Sequence, residues 1–205
     1  MENFQNIKSP EKISIEEQTF RQYSDDLKLT PEDFNKVILD VGAGEAYFAK
    51  WAKDHNVSSS IYSLEPIQEM EMKEKVINSS AESIPMPDQS FDLIVSYAAI
   101  PNIYLGDKDA KIKVKDCFSE MLRVLRDGGE VRLARVFMGD KYENQRILAS
   151  SIKEVLSELQ RKDNIEITET RTPIFDSFEY DKHTMKGILA ESFFVTIKKL
   201  KKENI

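Results

Sequence analysis

Four of the five residues from Val37 to Val41 are apolar and three of those are β-branched, which predicts a strand buried on both faces of a parallel sheet. Gly42 and Gly44 then interrupt it, and the apolar spacing from Glu45 to Trp51 is that of a helix. The same alternation repeats downstream. Ser60–Leu64, Lys75–Ile77, Phe91–Val95 and Gly129–Phe137 read as four further strands. Val114, Cys117, Phe118, Met121, Leu122 and Leu125 mark one helix, with Gly128 as its expected stop. Leu148, Ile152, Val155, Leu156 and Leu159 give the buried side of another, over Tyr142–Gln160. Period-two patterns at Ile165–Arg171 and Ser192–Ile197 predict two last strands, the second antiparallel, separated by a loop and short helix over Thr172–Leu189.

Ahead of the first strand, Ser14 and Glu17 form a capping-box pair opening a helix with Phe20, Tyr23 and Leu27 on one face. Thr30, with Pro31 in the first turn, reads as the N-cap of a second helical start. The aromatic stripe of the first helix is expected to pack against the sheet, the alternative being a lid over a bound ligand. Together the elements predict a single α/β domain over residues 1–205, with residues 1–13 mobile, a helical segment over 14–36 and the sheet-bearing core over 37–205.

Composition narrows the function. At 205 residues and 40% hydrophobic content, the chain suits one soluble domain, without an apolar run near the ~18 residues of a membrane span. No signal-peptide pattern opens it, so a cytoplasmic location is expected. One cysteine and two histidines argue against a structural metal site. A net charge of −7 disfavours nucleic acid and points to a small molecule, or a protein, as substrate.

A glycine turn between strand and helix is a place for a polar ligand. The third glycine of a pyrophosphate-binding Gly-x-Gly-x-x-Gly is replaced by Tyr47, and Asp40 would repel a phosphate there but attract a sulfonium or an ammonium. Glu65, 21 positions beyond Gly44 at the tip of the second strand, is placed to accept from a ribose diol.

The run Asp40-Val-Gly-Ala-Gly-Glu-Ala resembles the first motif, Asp-x-Gly-x-Gly-x-Gly, of the class I S-adenosylmethionine-dependent methyltransferases, with Ala46 in place of the third glycine. Ser80-Ala-Glu-Ser-Ile-Pro-Met followed by Ser90-Phe-Asp resembles the family's Asp-Ala-x-x-Leu-Pro-Phe and Ser-Phe-Asp, with Ser80 where the family has Asp. Leu125-x-x-Gly-Gly-x-Val resembles its entry to the fifth strand. The resemblance spans about Val37 to Phe137 and implies a Rossmann-like, mostly parallel seven-stranded sheet with helices on both faces and an antiparallel last strand. It implies S-adenosylmethionine as cofactor, held by Asp40, Gly42, Ala43, Gly44, Glu65, Ser80, Ala81 and Ser96.

The expected reaction is an in-line displacement on the sulfonium methyl by an unidentified acceptor, for which proximity and alignment suffice and no dedicated catalytic residue is required. The alternative is a methyltransferase-like module that binds the cofactor, or has lost it, and serves regulation or interaction. Tyr97, Asn102 and Tyr104 follow the fourth strand at the ligand-binding edge. Tyr97 and Tyr104 are candidates for catalysis or for filling the loop core, and Asn102 is a candidate for substrate contact. Arg135, at the mouth of the fifth strand, is a substrate anchor or half of a structural ion pair. His183 is a general base or an exposed loop residue. Cys117 sits on an apolar helix face as a small hydrophobe. Lys111–Lys115 and the C-terminal lysines read as solvated charge.

Overall fold

A computed structural model describes residues 13–66, 75–139, 142–180 and 187–201 of the chain. Ile38–Val41 form β1, all four residues buried, and the strand lies inside one seven-stranded sheet of order β3-β2-β1-β4-β5-β7-β6. β2 (Ile61–Leu64), β3 (Val76–Ile77), β4 (Phe91–Tyr97) and β5 (Leu125–Phe137) continue it in parallel. β7 (Gly187–Lys199) runs antiparallel to both β5 and β6 (Ile165–Tyr180). The architecture is the mostly parallel, doubly covered sheet that the resemblance implies.

Alternation along the strands divides the core in two. Leu39, Val41, Ile94, Val131 and Leu133 face the larger cluster, which takes in α3 (Ala110–Val124) and α4 (Glu143–Gln160). Ile38, Leu93, Val95 and Ala134 face the smaller one, under α1 (Ile15–Asp26) and α2 (Tyr47–Asp54). Ser14 caps α1 as expected, its hydroxyl accepting from the Glu17 N–H at 3.1 Å. The aromatic stripe of α1 packs on α2: Phe20 stacks on Trp51 at 4.2 Å and Tyr23 on Phe48 at 4.7 Å between ring centroids.

Four expectations are corrected. Thr30 does not cap a helix: its own N–H donates to Asp33 at 2.9 Å, and only a 3-10 turn, Asp33–Asn35, follows. The Asp33 carboxylate is also held by Arg132 at 2.8 Å and by Lys36 at 2.6 Å, so this turn is tied into the tertiary structure rather than continued as a helix. α3 ends at Val124 rather than at Gly128, because Leu125 already has extended backbone and joins β5. Within the expected loop of Thr172–Leu189, the described residues are strand: β6 extends to Tyr180 and β7 begins at Gly187, and the ladder between them satisfies backbone groups that a loop would leave to water. The C-terminal lysines are not all solvated: Lys199 donates to the carbonyls of Leu122 and Leu125 at 3.2 and 2.8 Å, a cation at the negative end of α3.

The lysines at the start of α3 find acids as well. Lys111 and Lys115 reach Glu154 and Glu158 of α4 at 2.6 and 2.9 Å, which offsets their unfavourable place at a helix N-terminus. Cys117 is buried in the α3–α4 core, and burial pushes its thiol up, out of nucleophilic range. Among the described residues no helix is long and apolar enough to cross a membrane.

Candidate active site

The parallel strands β1, β2 and β4 end side by side, and the glycine loop is built where they do. Gly42 and Ala43 donate to the Leu64 carbonyl at 2.9 and 3.2 Å, tying the loop to the end of β2. Gly42 has φ +78, and a Cβ there would stand 2.4 Å from that of Ala99, so glycine is needed for the β4 loop to approach. Gly44 is different. Its φ is +53, yet a Cβ on it would meet no atom within 4 Å, so its backbone borders open space above the loop. Ala46 holds a left-handed conformation (φ 56, ψ 29) as N-cap of α2, a conformation suited to the glycine it replaces.

Two carboxylates flank this loop. Glu65 follows β2, and its Oε2 accepts from the Gly44 N–H at 3.0 Å. Asp40 is fully buried, and among the described residues no donor meets hydrogen-bond geometry at either carboxylate oxygen, the neighbouring Tyr23 hydroxyl included. Burial pushes Asp40 up to about 8; the Tyr23 hydroxyl opposes this and the charge of Glu65 adds to it. An acid buried without a compensating donor or cation is costly, and such groups mark places where a ligand completes the structure. A cationic group over the loop, beside Asp40 and Glu65, supplies what is missing. The acids, the glycine backbone and the open space at Gly44 therefore fit a ligand with a sulfonium, an ammonium and a ribose, and would repel a pyrophosphate.

The remaining candidates divide sharply. Ser80 and Ala81 lie in the turn after β3, and that turn is held from α3: Arg123 donates to the carbonyls of Ile84 and Met86 at 2.8 Å, while Glu120 accepts from the Ile84 N–H at 2.9 Å. Ser96 is buried, donating to the Val41 carbonyl at 2.8 Å and accepting from the Ile100 N–H at 3.0 Å, so its hydroxyl ties β4 and its loop to β1. Asn102 is occupied by backbone: its amide donates to the Arg135 carbonyl at 2.7 Å and accepts from the Phe137 N–H at 3.0 Å. Tyr104 is buried in the larger core, and burial, with Cys117 and Glu82 nearby, holds its hydroxyl well above the ordinary tyrosine value. Tyr97 and Arg135 are brought together, the guanidinium lying 4.9 Å from the ring centroid. His183 lies outside the described residues.

The lid alternative for α1 gains one contact, from Tyr23, and one neighbour of Tyr97 and Arg135, Asp26, escaped the sequence. Tyr23 lies against Asp40 and stacks on Tyr97 at 4.7 Å, so the aromatic face of α1 reaches the site as well as α2. Asp26 accepts from the Tyr97 hydroxyl at 3.0 Å and from Arg135 Nε at 2.9 Å. Its signal was present as an acid in the last turn of a helix, where the dipole disfavours one. On the same edge, a cavity of about 640 Å³ opens between the ends of α3 and α4, bordered by Tyr104, Ala110, Glu143 and Ile147.

Residues 39–133 match the family model described as a methyltransferase domain. The SAM-dependent methyltransferase of Methanosarcina mazei superposes with a TM-score of 0.57 at 15% identity, covering 85% of this chain and 99% of that one. The plantazolicin methyltransferase BpumL, solved with a desmethylPZN analog and SAH, superposes with a TM-score of 0.55 at 10% identity, covering 90% of this chain and 87% of its own. A ubiquinone/menaquinone biosynthesis C-methyltransferase, UbiE of Xanthomonas oryzae pv. oryzae, is 40% identical over 57 residues, which are 28% of this chain and 19% of the relative. The chain thus matches only about a fifth of that curated relative's length. Strand order and these superpositions define the Rossmann-like fold of the class I methyltransferases, and the family-model match runs from β1 into β5.

Proposed function

We propose that the protein transfers a methyl group from S-adenosylmethionine to a small-molecule acceptor. The observation that carries this reading is the buried, unpartnered Asp40 carboxylate at the glycine loop, a counter-charge in need of a cation. When bound, the cofactor supplies a sulfonium-activated methyl group. Asp40, the loop backbone and Glu65 hold and orient it; Tyr23 and Tyr97 shield the neighbouring edge from water. Alignment is the chain's main contribution, since an in-line attack on a group already activated needs position more than proton transfer.

A small acceptor is favoured by the net charge of −7 and by a cavity in the size range of small-molecule sites on the same sheet edge. The relatives' names, with quinone biosynthesis in one case, agree with it.

The test is a thermal-shift comparison of S-adenosylhomocysteine with NAD. A ligand at 100 times its dissociation constant stabilises by about 2.7 kcal/mol, and at about 2–4 °C per kcal/mol for a chain of this size the homocysteine product should raise Tm by roughly 5–10 °C. NAD should leave it unchanged. No shift with either ligand would make the protein a methyltransferase-like module without the cofactor.

A further inference from the structure

We propose that Tyr97 and Arg135 form a carboxylate-binding pair for the methyl acceptor, and that Asp26 of α1 occupies this pair as an internal stand-in. The proposal names the acceptor class for the reaction proposed above and rests on that reading for the word acceptor; the carboxylate site itself does not.

The pair is built with some effort. Leu133 pairs with Val195 and Val136 with Phe193, so β5 carries one residue more than β7 across this interval. In a regular strand Arg135 would share the face of Leu133, which belongs to the α3–α4 core. The bulge instead places Ala134 and Arg135 opposite Phe194 and brings the guanidinium to the α1 side of the sheet. Arg135 holds φ +57, a strained value for this residue type, and Asn102 secures the bulge from both ends by bonding the Arg135 carbonyl and the Phe137 N–H. A structural ion pair on an exposed rim needs none of this. Strain of this kind, fixed by a dedicated side chain, clusters at sites that bind ligands.

The occupant is equally unusual. Asp26 is the last residue of α1, next to Asp25 and with no basic residue in that turn, the place where the helix dipole disfavours an acid. Its carboxylate accepts from Tyr97 Oη at 3.0 Å and from Arg135 Nε at 2.9 Å, two convergent donors on adjacent strands. Arg135 contributes only Nε to this contact, and among the described residues its two Nη atoms take no other partner, so the side of the fork that suits a bidentate carboxylate is not used. The side chains of Arg135 and Asp26 are 32% and 34% exposed, within reach of solvent, and exposed ion pairs hold weakly enough to be exchanged. Tyr97 also stacks on Tyr23, which lies against Asp40. A carboxylate seated on the pair would therefore hold the acceptor one aromatic layer from the cofactor loop.

Benzoate is the probe, with benzamide as its neutral isostere, titrated by calorimetry into the full chain. Asp26→Asn should bind benzoate at least tenfold tighter than the parent protein, benzamide should not distinguish the two, and Arg135→Met should not bind benzoate detectably. Asp26→Ser should behave as Asp26→Asn, and Arg135→Lys, which keeps the charge but not the fork, should recover only part of the binding. Affinity for S-adenosylhomocysteine should stay within about twofold in both Asp26 variants, which shows that they are folded. Benzoate affinity unchanged by Asp26→Asn, retained in Arg135→Met, or matched by benzamide would overturn the site. Loss of S-adenosylhomocysteine binding in the parent protein itself would sink the methyltransferase reading and leave the carboxylate result standing.

Discussion

Asp40→Asn is the most informative single change, because the structure shows the carboxylate's burial cost and the proposed function requires a bound cation to offset it. Both oxygens are buried without a hydrogen-bond partner, and burial pushes the group up to about 8 from an ordinary 3.8. Between those two values the unfolded chain has lost the proton and the folded one retains it. Stability of the ligand-free protein therefore falls as pH rises, by about 1.4 kcal/mol per pH unit from this group. From pH 5 to pH 7 the loss is on the order of 3 kcal/mol, a large share of the ~5–15 kcal/mol that holds a domain folded. Asparagine has the same shape and no proton to lose. Urea unfolding without ligand should find Asp40→Asn close to the parent protein at pH 4.5 and more stable by roughly 4 kcal/mol at pH 7.5. Cofactor binding should show the opposite preference. A cation beside the carboxylate favours its ionised form, so the parent should release about one proton on binding S-adenosylmethionine at pH 7, read from calorimetry in buffers of different ionisation enthalpy. Asp40→Asn should release none and bind at least about tenfold more weakly. A parent protein whose stability is flat from pH 5 to pH 8 would refute the reasoning, since Asp40 would then be ionised and compensated in the free state.

Glu65→Gln keeps the shape of the group beside Gly44 but weakens its hydrogen bonds to a ribose diol, and should raise the calorimetric dissociation constant of S-adenosylmethionine about tenfold with little change in Tm. An unchanged affinity returns Glu65 to a purely structural contact. Ala46→Gly relieves a left-handed alanine and should stabilise the protein by about 0.5–1 kcal/mol in urea unfolding, in spite of the added freedom of the unfolded chain. Asp33→Asn leaves the half-buried Arg132 with Glu130 as its remaining carboxylate and should cost about 1–3 kcal/mol. Its carboxyl is lowered to about 2 by Lys36, Thr30 and Arg132 against the opposing effect of burial, so the parent's advantage over this variant should be complete above pH 4 and fade as pH falls towards 2.

The sheet core, the glycine loop and the two acids beside it were legible in the sequence because each depends on local chemistry. A buried parallel strand needs an apolar run, a strand-to-helix turn at close approach needs glycine, and β2 places its terminal acid near Gly44 by chain length alone. Such features survive without knowledge of what lies across the fold. Tertiary structure decided what local pattern leaves degenerate. Whether Thr30 starts a helix depended on Asp33, and Asp33 on Arg132, 99 residues further along the chain. Whether Ser96 and Asn102 face a ligand or bind backbone depended on carbonyls and N–H groups from β1 and β5. Arg135 was readable as a charge at a strand's mouth, but its partner depended on a one-residue bulge that turns it from the α3–α4 face to the α1 face. A side chain's type records what it can bond; only the packing of distant elements determines which of those bonds is already taken, and which, as at Asp40, is not.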